Sequence, residues 1–133
     1  MQGGGPGVSD SKRVLLIEDE PNITEAIRFV LTREGWHVQT HAEGRDAVET
    51  VRERKPDLVI LDVMLPNRSG LDILADLKAD ADLRTIPVMM LTARGSSPER
   101  ETALRIGADC FMTKPFSNRE MLDTVRSLMA GSP

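Results

Sequence analysis

The chain has 133 residues, 40% of them apolar and 29% charged, with a formal net charge of −4. That length supports one core and is short for two, and the acidic balance argues against nucleic acid as a direct partner. No apolar run approaches the roughly 20 residues of a membrane span, and the lone cysteine, Cys110, excludes an internal disulfide and fits a reducing cytoplasm.

The first eleven residues are rich in glycine and lack the apolar stretch of a secretion signal, so they read as a flexible tail. Residues 12–130 read as one domain and 131–133 as a second loose end. Within the domain, "VLLI" at 14–17 is continuously apolar, as a strand covered on both faces should be. Pro21 suits the first turn of a helix whose apolar face is Ile23, Ile27, Val30 and Leu31, and Gly35 is placed to end it. "WHVQT" at 36–40 is a less apolar strand, expected near a sheet edge. Ala47, Val48 and Val51 line a second helix that stops before Pro56. "LVIL" at 58–61 is a strand, "PNRSG" a loop, and Leu71, Leu74 and Leu77 mark a third helix. "VMML" at 88–91 is the next strand. Pro98 opens a fourth helix carrying Ala103, Leu104 and Ile106, closed by Gly107. "CFM" at 110–112 is the fifth strand. Ser117 and Glu120 have the spacing of a capping box, ahead of a helix with Met121, Leu122, Val125, Leu128 and Met129 inward.

Five strand–helix repeats joined by short connections imply an α/β fold, a doubly wound parallel sheet with helices on both faces. In such sheets ligands bind beyond the carboxyl ends of the strands. The residues collected there are Glu18 and Asp19, then Asp62, then Thr92, then Thr113 and Lys114. Three converging carboxylates raise one another's pKa unless a cation relieves them. Mg²⁺ suits that donor set, since it takes a few carboxylates plus waters and phosphate oxygens. A lysine and a threonine alongside suit the other oxygens of a phosphoryl group, and a carboxylate can itself be the acceptor.

Four stretches, "VLLIEDEP", "PDLVILDVMLPNRSG", "IPVMMLTARG" and "GADCFMTKPF", stand in order at those strand ends. With them the chain resembles the receiver domain of bacterial two-component response regulators, from about Lys12 to Met129. The resemblance implies a flavodoxin-like (βα)5 fold with strand order 2-1-3-4-5. It implies Asp62 as the phosphoacceptor, Asp19 as a direct Mg²⁺ ligand, Glu18 reaching the ion through a water, and the Met64 backbone carbonyl as a further ligand. Thr92 is similar to the hydroxyl that moves to the phosphoryl group, Lys114 to the lysine that pairs with it, and Phe111 to the aromatic switch residue. Lys114–Pro115 resembles the family's cis peptide bond. The implied partner is a histidine kinase or histidine phosphotransfer protein, with an unknown output protein and no membrane. The implied role is a signalling switch whose only catalysis is self-phosphorylation and slow autodephosphorylation, with no organic cofactor.

Several residues have plainer readings. Glu20 reads as an acid favouring a helix N-terminus, Cys110 as a small core residue, and His37 and His41 as solvent-facing. A dehalogenase-like phosphatase would need a second Asp where Met64 stands. A flavin phosphate would be repelled by "EDE", and the glycines of a dinucleotide site are missing. Met64 cannot orient an attacking water and Arg94 can cover the phosphoryl group, so a long-lived phosphoform is expected. The second half resembles receivers of winged-helix transcription factors, in which Arg100 and Glu120 would pair across a dimer. Cys110 and Thr124 replace an Asp and an Arg common on that face, which favours a stand-alone monomer over a receiver from a longer DNA-binding regulator.

Overall fold

The computed structural model describes residues 12–93 and 97–130. The readings placed on residues 1–11, Arg94 and residues 131–133 lie outside the described residues. In chain order the elements are β1 (Arg13–Ile17), α1 (Pro21–Thr32), β2 (His37–His41), α2 (Ala47–Arg54), β3 (Leu58–Asp62), α3 (Gly70–Ala79), β4 (Val88–Thr92), α4 (Ser97–Ile106), β5 (Cys110–Thr113) and α5 (Asn118–Ala130). All strands are parallel, in the order β2-β1-β3-β4-β5, which is the expected doubly wound, flavodoxin-like arrangement.

Alternation along the strands divides the core in two. Leu15, Ile17, Val59, Leu61, Val88 and Met90 face one side, where α2, α3 and α4 add Ala47, Val51, Ile73, Leu74, Leu77 and Ala103. Val14, Leu16, Leu58, Ile60, Met89 and Leu91 face the other, where α1 and α5 add Ile27, Val30, Leu31, Met121 and Val125. Covering both faces is what makes these strands continuously apolar, and each fully buried Leu or Ile contributes about 1.5–3 kcal/mol. β2 lies at an edge, and its residues are only partly buried or exposed.

The expected boundaries shift by about one residue. β2 runs from 37 to 41 because Trp36 N–H closes the turn after α1 onto the Leu31 carbonyl, while His37 N–H begins the ladder on Lys12. β3 and β4 extend to include Asp62 and Thr92, and β5 includes Thr113. Leu104 lies on the exposed side of α4, and Cys110 is half-buried. Ser117 and Glu120 form the expected capping box: Glu120 N–H donates to Ser117 Oγ at 3.0 Å, and Ser117 N–H donates to Glu120 Oε1 at 3.1 Å.

Candidate functional site

The register of the parallel strands brings their carboxyl ends to one edge. β1 hands on to Glu18 and Asp19 in the short link before Pro21 starts α1. Glu18 N–H donates to the His41 carbonyl at 3.0 Å, which continues the β1–β2 ladder past β1 and fixes the link. β3 ends on Asp62, in register with Leu91, and β4 ends on Thr92, in register with Thr113. Lys114 follows, its N–H donating to the Thr92 carbonyl at 2.7 Å, and the Lys114–Pro115 peptide is cis.

Carboxylate oxygens of Glu18, Asp19 and Asp62 lie within 4.8 Å of one another. Glu18 and Asp62 are buried, at 2% and 3% exposure, whereas Asp19 is open to solvent. Lys114 Nζ stands among the acids, 2.9 Å from Glu18 Oε1, 3.2 Å from Glu20 Oε1 and 3.4 Å from Asp62 Oδ2. Met64 N–H donates to Asp62 Oδ1 at 3.2 Å, and the Met64 side chain is 70% exposed beside it. Gly70, the first residue of α3, donates its N–H to the Val63 carbonyl at 2.8 Å, and its Cα backs onto the Asp62 carbonyl.

Burial pushes the Glu18 carboxyl up to about 6, with Asp62 adding to the rise against the opposing Glu20 N–H and Lys114. The Glu20 amide donates to Glu18 Oε2 at 3.0 Å. Glu18 Oε1 is buried and accepts no well-directed hydrogen bond, so Lys114 faces it as an ion pair only. Burial disfavours the Lys114 ammonium, yet the carboxylates of Glu18, Asp62 and Glu20 outweigh it and hold its pKa above the ordinary lysine value. A buried, under-satisfied carboxylate oxygen beside two further carboxylates is an oxygen donor set that fits a hard cation such as Mg²⁺.

Thr92 and Phe111 are both buried. The Thr92 hydroxyl donates to Glu99 Oε1 in α4 at 3.3 Å. Phe111 packs into the core face shared with α2, α3 and α4, and the Arg100 guanidinium lies 5.9 Å from its ring centroid. The Phe111 ring is thus covered in the state in which Lys114 rests among the carboxylates. His37 is exposed and His41 is half-buried, its Nε2 2.8 Å from Asp46 Oδ1.

Glu20 requires a correction. It occupies the N-cap of α1 but makes no side-chain capping bond, and its carboxylate accepts from Lys114 instead. Nothing local in the sequence marks this pair, whose members lie 94 positions apart. Gly70 and Glu99 were missed for the same reason, since each acts on a residue that only the fold brings near.

A family model described as the response regulator receiver domain matches residues 14–126. The protein TcrX of Mycobacterium tuberculosis is 40% identical over 116 residues, 87% of this chain and 49% of TcrX. The phosphate regulon transcriptional regulatory protein PhoB of Klebsiella pneumoniae is 42% identical over 119 residues, 90% of this chain and 52% of PhoB. The chain thus spans about half the length of these curated relatives. Among solved structures, the receiver domain of the Pseudomonas aeruginosa PAO1 sensor histidine kinase PA1611 has a magnesium ion coordinated in its active site cleft. It matches with a TM-score of 0.83 and 26% identity over 91% of this chain and 99% of that one. Because the family match runs from β1 into α5 and so takes in every strand, the chain belongs to the response regulator receiver domains of two-component systems.

Proposed function

We propose that Asp62 accepts a phosphoryl group from the phosphohistidine of a histidine kinase or histidine phosphotransfer protein. The observation that carries this reading is the meeting of Glu18, Asp19 and Asp62 within 4.8 Å, with Lys114 Nζ 3.4 Å from Asp62 Oδ2. An Asp62 oxygen attacks phosphorus, the O–P bond forms as the N–P bond breaks, and the imidazole leaves with a proton as the neutral ring. Asp19, Asp62 and the Met64 carbonyl would hold Mg²⁺ directly and Glu18 would hold it through a water. When bound, the ion supplies charge neutralisation at the phosphoryl oxygens. Lys114 gives up part of its carboxylate contacts to a phosphoryl oxygen, and Thr92 donates its hydroxyl to another. Moving a switch from 1:99 to 99:1 takes about 5.5 kcal/mol, which two charge-assisted contacts of roughly 1.5–3 kcal/mol each can approach. The face of α4, β5 and α5 then changes. Asp62→Asn protein incubated with acetyl phosphate and Mg²⁺ should stay unlabelled while the wild type is labelled; labelling of the variant would refute the assignment.

The output is read in two ways. The first is a single-domain regulator that acts by protein contact, as a monomer. The intrachain engagement of Arg100 with Phe111 and of Glu120 with the capping box supports it, since both residues would have to be shared with a partner in a dimer. The second is the receiver of a longer transcriptional regulator, which the identity to PhoB supports. Light scattering with and without beryllofluoride tests the first, because a dimer appearing only with beryllofluoride overturns it. An immunoblot of cell extract tests the second: a band at twice the mass of this chain supports it.

A further inference from the structure

Thr92 is the buried last residue of β4. Its hydroxyl carries one proton and donates to one acceptor at a time. In the structure that proton is directed at Glu99 Oε1, 3.3 Å away in the first turn of α4. The next residue, Arg100, lays its guanidinium over Phe111. Two successive residues of α4 thus touch the two residues read as the switch, one through a hydroxyl and the other through a ring.

We infer that Glu99 is a positioning residue that holds the Thr92 hydroxyl on α4 until the acyl phosphate forms at Asp62. The inference rests on the reading of Asp62 and Thr92 given under Proposed function. A phosphoryl oxygen and the Glu99 carboxylate compete for a single proton, so the two contacts are mutually exclusive. Once Thr92 turns to the phosphoryl group, the Glu99 carboxylate loses its donor. Glu99 is half-buried, so water takes the place of the hydroxyl. The new dianion repels the carboxylate as well. The first turn of α4 is released from β4, and Arg100 moves with it relative to Phe111. Glu99 therefore raises the threshold for switching and carries the event into α4 when it comes.

The test is a double-mutant cycle read by beryllofluoride and Mg²⁺ titration, followed by amide NMR. Glu99→Ala should tighten beryllofluoride binding about tenfold, the lower worth of one hydrogen bond to a charged acceptor removed from the resting state. In a Thr92→Val background the same substitution should change the affinity little, because the contested proton is gone. No tightening, or equal tightening in both backgrounds, overturns the inference. A second readout needs neither ligand nor metal. Amide exchange from Thr102 to Arg105 should speed up in Glu99→Ala and in Thr92→Val alike, with no further gain in the double variant. Unchanged exchange in both single variants also overturns it. Beryllofluoride binding by Asp62→Asn would instead refute the reading of Asp62, and the exchange data would then decide the Thr92–Glu99 tie alone.

Discussion

Gly70 begins α3 with its Cα against the Asp62 carbonyl, and a methyl group there would occupy the place of that oxygen. Backbone cannot rotate away as a side chain can, so Gly70→Ala has to shift either α3 or the end of β3. Gly70→Ala should lower stability by about 1–3 kcal/mol in urea titration and slow labelling of Asp62 by acetyl phosphate. A stable variant labelled at the wild-type rate would show that the contact relaxes freely. The acids themselves were legible from sequence, because each follows an apolar strand and parallel strands end together. What each acid touches was not. Glu20 looked like a helix-terminal charge, yet it bonds Lys114, because both stand at the mouth of the same sheet edge. Thr92 was legible as a hydroxyl at the edge, while its acceptor Glu99 depended on where α4 lies against β4.

At the scale of elements, α2 ends with Lys55 in the left-handed region, at φ 47°. That conformation costs a residue with a Cβ roughly 1–2 kcal/mol. Lys55→Gly should therefore gain about 1 kcal/mol, seen as a higher Tm with no change in the m-value. A loss of stability would mean that the lysine side chain contributes more than its backbone costs. The helices and strands were readable because their periodicities differ: Ile27, Val30 and Leu31 recur as one helical face, whereas β1, β3 and β4 are unbroken apolar runs. The ends were less readable. A polar residue that closes a strand, such as Asp62 or Thr92, looks like loop in sequence and is ladder in the fold. Leu104 fits the apolar content of α4 but stands on its outer side, since that helix buries Ala103 instead.

For the whole molecule, the buried Glu18 links stability to pH. In protein free of divalent ions its carboxyl titrates near 6 when folded and near the ordinary 4.5 when unfolded. Between those values the folded state holds the extra proton, so stability falls as pH rises from about 4.5 to about 6 and then levels off. The drop is about 2 kcal/mol, at 1.36 kcal/mol per pH unit of displacement. Urea titrations in EDTA at pH 4.5 and 7.5 should show it, and Glu18→Gln should abolish it and be the more stable protein at pH 7.5. A wild type equally stable at both pH values would rule it out. Added Mg²⁺ should raise the stability of the wild type at pH 7.5, by about 2.7 kcal/mol at one hundred times its Kd.

The sheet that separates the two cores also divides the labour of change over time. Among the described residues, the core under α1 and α5 and the core under α2, α3 and α4 lie on opposite sides of the sheet, each lined by strand residues that point its way. A substitution in Met121 and one in Ile73 therefore share few neighbours, and their costs should add. A lineage can repack one face to suit a new partner without retuning the other, while the strand ends keep the acids in place. The partition thus makes the domain easy to diversify: its surfaces can drift separately around one fixed edge.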